Sequence, residues 1–214
     1  MSPSHHHPSS DRLLEHAAGR LPPGQDLVVA AHEAVCETCR AEVHRHEAVG
    51  GALLEGTAPA KMAADALDHA LARIDRPAPA AEPSGDGAPP DWIEFSSPAV
   101  EQAWRRRRWA APGVWVAPIF RGPGRSSTYL LRVAAGMSVP YHRHEGTELV
   151  TVLKGAFEDR GEVCKAGDFA ESDEDVRHKP TVTRGDECVC LINTDAPLVA
   201  LDWVGKLFQP FVRI

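Results

Sequence analysis

The sequence carries no uninterrupted apolar run long enough to cross a bilayer, which excludes a helical membrane anchor. Its first residues, MSPSHHHPSS, lack the charged-then-apolar layout of a signal peptide. It has no basic surplus: 23 Lys and Arg face 30 Asp and Glu, for a net charge of −7. Phosphate contact wants a basic face, so direct nucleic-acid binding is not expected. No P-loop, no dinucleotide-binding glycine fingerprint and no Ser-His-Asp order is present. There is also no second Cys-x2-Cys to complete a zinc finger beside the one at Cys36 and Cys39. The expected compartment is the cytoplasm, where thiols stay reduced. The 5 cysteines therefore read as metal ligands, redox groups or core residues before disulfides.

What is present is a globular composition, 43% hydrophobic and 25% charged over 214 residues, enough for one large domain or two small ones. The stretch 77–90, PAPAAEPSGDGAPP, cannot bury a face and reads as an extended linker. It separates a helical part, residues 1–76, from a β-rich part, residues 91–214. In the first part, Ser10 or Asp11 caps a short helix ending near Gly19. A long helix is expected from about Gln25 until Gly50 and Gly51 break it. A third, roughly Lys61 to Asp75, aligns Leu67, Leu71 and Ile74 on one face, a stripe either packed on the other helices or, because three short helices make a thin core, offered to a partner. The second part alternates β-type runs such as TYLLRVA, ELVTVLKGAF and ECVCLI with glycine turns, the pattern of an antiparallel sandwich or barrel. The only helix-period run expected there lies around Pro98 to Arg106.

Two ligand sets stand out. His32, Cys36 and Cys39 follow the spacing H-x3-C-x2-C, which on one continuous helix places all three on one face. A soft N/S set of this kind suits Zn²⁺, and three ligands leave one tetrahedral corner for a residue from elsewhere. The run His5, His6, His7 is the evident donor. In the β-rich part, His142 and His144 alternate on a strand and so point together, with Glu148 returning from the next turn of chain. Two imidazoles and a carboxylate suit a divalent ion such as Zn²⁺, Fe²⁺, Mn²⁺ or Ni²⁺. His178, eleven residues after Gly167, can reach the same ion from a second hairpin.

The segment from His7 through Gly19, then HEAVCETCRAEV, then VGGALLEGTAP, resembles the zinc-binding anti-sigma domain of the ChrR-type anti-sigma factors. The family's opening pattern, His-Pro followed by a leucine pair and Ala-Ala-Gly, selects His7 as the fourth ligand beside His32, Cys36 and Cys39. The segment GMSVPYHRHEGTELVTVLKG matches the first cupin motif, G-x5-H-x-H-x3-E-x6-G, at every position. The second motif keeps Gly167 and His178 but has Asp173, Asp175 and Val182 where Pro, Gly and Asn are usual. The resemblance thus implies an α+β chain: a small zinc-bound helical bundle followed by a cupin jelly-roll barrel. It implies Zn²⁺ in the first site and a second divalent metal, Zn²⁺ by preference, on His142, His144, Glu148 and His178. It also implies a regulator whose helices, with Leu67, Leu71 and Ile74 in the interface, occlude a sigma factor of the extracytoplasmic-function group. The barrel would receive an oxidative signal of the singlet-oxygen kind. Oligomerisation through the barrel stays open. The competing class is a metal-dependent cupin dioxygenase or isomerase with an accessory zinc domain, a reading that gives the helices no work.

Two further features are secondary. Trp104-RRRR-Trp109 is expected to be a strand with an arginine-rich solvent face rather than a nucleic-acid site. Cys188 and Cys190 face one side of one strand, a poor geometry for a mutual disulfide; they read as small core residues first and as a redox pair second.

Overall fold

The structure, a computed structural model, describes residues 7–75, 97–122 and 124–201. The expected linker at 77–90, the alternative donors His5 and His6, and the terminal FQPFVRI lie outside the described residues. The fold is α+β, helices first and antiparallel strands after.

Helix α1, Ser10–Ala17, is capped by the Ser9 side chain, which accepts from the Arg12 amide. It ends at Gly19, whose φ of 63° lets Gly19 N bond His16 O and Arg20 N bond Glu15 O, satisfying the last carbonyls. Helix α2, Pro23–Glu33, starts on a proline, whose fixed φ suits the first helical position. Helix α3, Glu37–Glu55, follows after a break. The expectation of one long helix across the H-x3-C-x2-C segment is therefore corrected. The chain turns at Ala34 and Val35, and Cys36 is extended, with φ −103° and ψ 104°. Gly50 and Gly51 do not break α3: a Cβ at either would meet nothing, so they sit in an exposed helix interior at only their propensity cost. Helix α4, Ala66–Ile74, begins later than expected and buries no residue. Helix α5, Pro98–Arg105, takes up the start of the arginine run, so Trp104-RRRR-Trp109 is a helix end followed by a strand rather than one strand.

The strands are β1 Arg108–Ala111, β2 Val114–Arg121, β3 Ser127–Val133, β4 His142–Arg143, β5 Glu148–Lys154 and β6 Ala156–Asp159. They continue with β7 Glu162–Lys165, β8 Phe169–Ser172, β9 Arg177–His178, β10 Thr181–Val182, β11 Cys188–Thr194 and β12 Val199–Ala200. A six-stranded sheet runs β1-β2-β3-β11-β5-β8, opposed by two three-stranded sheets, β10-β6-β7 and β12-β4-β9. Gly155, at φ 71°, turns β5 into β6 where an added Cβ would lie 2.0 Å from the Glu187 carbonyl oxygen. Only glycine fits there.

The large sheet is covered on both faces. Tyr129, Val150, Val152, Cys188, Cys190 and Ile192 point into the barrel. Their neighbours Leu130, Leu149, Val189 and Leu191 point out into a second core with Leu13, Val28 and Val29 of the helices. This double burial explains why β5 and β11 read as continuous apolar runs rather than as alternating ones. It also supplies the core that the helices lack by themselves. Helix α2 lies so close to β3 and β11 that a Cβ on Gly24 would come within 2.3 Å of the Asn193 and Thr128 side chains. Thr151 Oγ1 donates to the Val28 carbonyl from below, at 2.8 Å.

Candidate metal centres

In the barrel, β4 pairs with β9 so that His142 stands opposite His178, and β5 begins at Glu148. All four expected residues are brought together and buried: His142, His144, Glu148 and His178 are at most 6% exposed. His178 Nε2 lies 2.9 Å from both His142 Nε2 and His144 Nε2, and His144 Nε2 is 3.6 Å from Glu148 Oε2. The outer nitrogens decide what these atoms are. His142 Nδ1 is 2.7 Å from the Pro140 carbonyl, which only accepts, so this nitrogen carries a proton. His178 Nδ1 is 2.8 Å from Asp159 Oδ2 and donates likewise. In the neutral rings both Nε2 lone pairs then face each other at hydrogen-bond distance with no proton between them. A divalent cation resolves that clash. Burial also keeps the His144 ring neutral: it pushes its pKa down to about 3, aided by the like charges His142 and His178 would carry. Burial pushes the Glu148 carboxyl up to about 7, with Asp159 adding to the rise and His178 opposing it. Nitrogens on bonds of about 2.05 Å at right angles sit roughly 2.9 Å apart, so the His178 spacings suit adjacent corners of an expanded coordination sphere.

Asp159, on β6, was not marked by any motif. It enters because the smaller sheet brings the β6–β7 hairpin beside β9. Burial raises its carboxyl, but the His178 hydrogen bond and charge and the Arg160 guanidinium outweigh this and hold it below its ordinary value. It fixes the His178 tautomer as an outer-shell carboxylate does for a ligating histidine.

The helical set is assembled differently from expectation but holds the same residues. His32 ends α2, Cys36 sits in the break and Cys39 lies in the first turn of α3. The fold of the chain at that break, rather than one helix face, brings the three together, and His7 closes over them. His7 Nδ1 is 3.4 Å from both Cys36 Sγ and Cys39 Sγ, and His32 Nε2 is 3.3 Å from Cys39 Sγ. Ligands at about 2.0–2.3 Å from a tetrahedral ion are themselves roughly 3.3–3.8 Å apart, so the set fits a closed four-coordinate site. Burial, then the Cys36 neighbour, pushes the Cys39 thiol up to about 12. It therefore keeps its proton until a cation displaces it. His32 Nδ1 lies 2.7 Å from the Gly167 carbonyl oxygen, on the barrel. Burial lowers the His32 pKa against that bond, leaving the ring neutral and fit for ligation.

The remaining expected residues are scattered by comparison. Leu67, Leu71 and Ile74 are exposed on α4, at 68%, 50% and 78%. Cys188 and Cys190 face into the barrel with their sulfurs 3.6 Å apart. His16 is clasped between Asp26 and Glu33, at 2.7 and 3.0 Å, and ties α1 to α2. Among the described residues, no helix is long and apolar enough to cross a membrane.

Residues 100–197 match the family described as the ChrR cupin-like domain. The chain is 40% identical to the anti-sigma-E factor ChrR of Cereibacter sphaeroides over 98% of both chains. Its structure is similar to the crystal structure of Rhodobacter sphaeroides SigE in complex with the anti-sigma ChrR, with a TM-score of 0.70 at 33% identity. That match covers 89% of this chain and 98% of the other. With two histidine-containing metal sets in the order helices then barrel, and an alignment that leaves almost nothing of either protein unmatched, the chain belongs to the ChrR family of anti-sigma factors.

Proposed function

We propose that this protein is a cytoplasmic anti-sigma factor that binds a sigma factor of the extracytoplasmic-function group and blocks it. One observation carries the reading. In a chain aligned end to end with an anti-sigma factor, the apolar face of α4 has no cover among the described residues. Leu67, Leu71 and Ile74 are exposed together on α4, and Val49, Leu53 and Leu54 on α3 and Met62 between the helices are exposed as well. A patch of this kind marks a protein-binding surface. Leu53 and Leu54 were missed from the sequence because the Gly50-Gly51 pair masked the end of the helix that carries them. The dividing lines at 76 and 91 belong to the same reading, with 77–90 as the tether between clamp and barrel.

The helical metal is Zn²⁺ in a structural role, held by His7, His32, Cys36 and Cys39, whose spacings and softness suit it. The barrel metal on His142, His144, Glu148 and His178 is a divalent ion, Zn²⁺ in the first instance, which accepts five ligands as well as four. This second centre is the receiver of oxidative stress. Cys188 and Cys190 line the same cavity as His142 and Glu148. The Cys188 hydrogen bond and burial push the Cys190 thiol up, so at neutral pH it is protonated and slow to react. The metal set is accordingly the first candidate for attack and the cysteine pair the second. A cupin dioxygenase or isomerase would use the barrel alone and leave the α4 face without a purpose.

The test is the double substitution Leu67→Asp, Leu71→Asp. Both side chains are exposed, so fold and metal content should persist while co-purification with the sigma factor and inhibition of sigma-dependent transcription in vitro are lost. Undiminished inhibition by the double variant would refute the assignment of this face.

A further inference from the structure

The two metal sets are not independent. His32, a ligand of the helical set, donates its outer N–H to the carbonyl of Gly167, 135 residues away on the turn between β7 and β8. The ring also meets Phe169 edge-on, with centroids 5.9 Å apart at 65°. Two positions further on, Glu171 receives Arg12 of α1 in a paired contact of 2.5 and 3.3 Å. The outward side of one short strand thus touches the helical metal site and its neighbouring helix. The inward side of the same strand ends at Ser172, paired in register with Glu148 of the barrel set.

A ligating histidine needs its second nitrogen held, because that bond selects the tautomer and aims the ring. In the helical set no helical residue does this for His32. Its partner among the described residues is the barrel backbone. We infer that the Gly167 carbonyl is the positioning group of the helical metal site: it fixes His32 as the Nδ1–H tautomer, leaves Nε2 for the ion, and makes the metal affinity of the helices depend on their docking to the barrel. The inference rests on the reading of the helical set as a metal site.

Gly167 has φ +95°, and a Cβ there would meet Val35 Cγ2 at an ordinary 3.7 Å. Alanine at this position therefore strains the backbone and reorients the carbonyl rather than overpacking the contact. Gly24 offers a second, separate handle, since alanine there drives α2 away from Asn193 and Thr128 without touching the barrel turn or any ligand.

The experiment uses the full-length, zinc-loaded protein. Nitrogen–proton correlation spectra of histidine-labelled wild type should show His32 protonated at Nδ1, protected from solvent exchange, with zinc on Nε2. Zinc transfer to a chromophoric chelator should be about ten-fold faster from the helical site of Gly167→Ala, the scale of losing an outer-shell partner. It should be faster in Gly24→Ala too, with loss of Nδ1–H protection in both and unchanged barrel metal content. If Gly167→Ala does not fold, Gly24→Ala and the wild-type spectrum decide. A His32 that binds zinc through Nδ1, or folded variants that release zinc at the wild-type rate, would overturn the inference while leaving the zinc site standing. A wild type with no zinc on the helices overturns the metal reading and this inference together.

Discussion

Glu148 sets up a conflict that can be measured. It is 6% exposed, and in the metal-free protein burial pushes its pKa from 4.5 to about 7. A carboxyl whose folded pKa is raised contributes its full stability only below the unfolded value and loses it as pH rises through the folded one. The metal-free barrel should therefore weaken between roughly pH 4.5 and pH 7, by about 3 kcal/mol for a shift of this size. Glu148→Gln keeps the shape and removes the charge, and its amide has an acceptor at hand in His144 Nε2, 3.6 Å from Oε2 in the wild type. Stripped of metal at pH 8, the variant should be more stable than wild type by up to about 3 kcal/mol, roughly 10 °C in melting temperature. At pH 4 the difference should vanish, because wild-type Glu148 is then protonated in both states. His144 acts in the opposite sense: its pKa is lowered to about 3, so the stability it contributes is present above about pH 6.5 and lost as pH falls towards 3. It is common to both proteins and cancels when they are compared at one pH. With divalent metal in excess the order should reverse, since the wild type, with its carboxylate ligand, gains more binding free energy than a variant left with three histidines. All 5 tryptophans lie beyond residue 90, so tryptophan fluorescence during urea or thermal unfolding reports the barrel. A metal-free Glu148→Gln protein no more stable than wild type at pH 8, or one whose advantage persists at pH 4, would refute the reasoning.

Two further outcomes follow from the metal sets. Cys39→Ser removes the buried thiolate ligand, so the helices should lose zinc, most of their ordered structure and sigma binding, and the large sheet, stripped of its outer cover, should lose stability while its own ligand set stays in place. Structural zinc contributes on the order of 10 kcal/mol in small domains, and metal analysis with circular dichroism checks it; folded, sigma-binding, zinc-free helices would contradict it. His142→Ala should leave inhibition intact in unstressed cells and blunt induction of a sigma-dependent reporter by singlet oxygen. Full induction from a protein shown to lack barrel metal would remove that site from the signalling path.

Both metal sets were legible from residue type and spacing, yet for unequal reasons. His142, His144 and Glu148 obey strand periodicity, and the structure uses that periodicity directly. His32, Cys36 and Cys39 were grouped through a helical period that the chain does not follow, because Cys36 is extended and the helix breaks before it. Spacing of four and three residues brings ligands together either along one face or around a tight break, and sequence alone does not distinguish the two. Asp159 and Gly167 stayed hidden because each acts across a pairing of distant segments, one through a carboxylate and one through a backbone carbonyl that any residue would supply.

The most consequential feature, the seating of the helices on the barrel, did leave a trace in the sequence. ELVTVLK and ECVCLI lack the alternation of a strand with one face in water. In a jelly roll, continuous apolar runs in central strands require a second cover on the outer face. The outward residues Leu149, Leu153, Val189 and Leu191 find that cover in Val28, Val29 and Leu13. The helices in turn supply too few apolar residues to enclose a core of their own. Each part is incomplete in the way the other completes, and the glycine at position 24 is what lets them meet. A change in the barrel near Glu148 therefore has a packed path to α2 through β8. To act, such a path must favour different helix arrangements in the two barrel states, because a change without differential affinity for bound and free clamp shifts nothing. The His32–Gly167 bond is the point at which that difference would reach the helical ligand set.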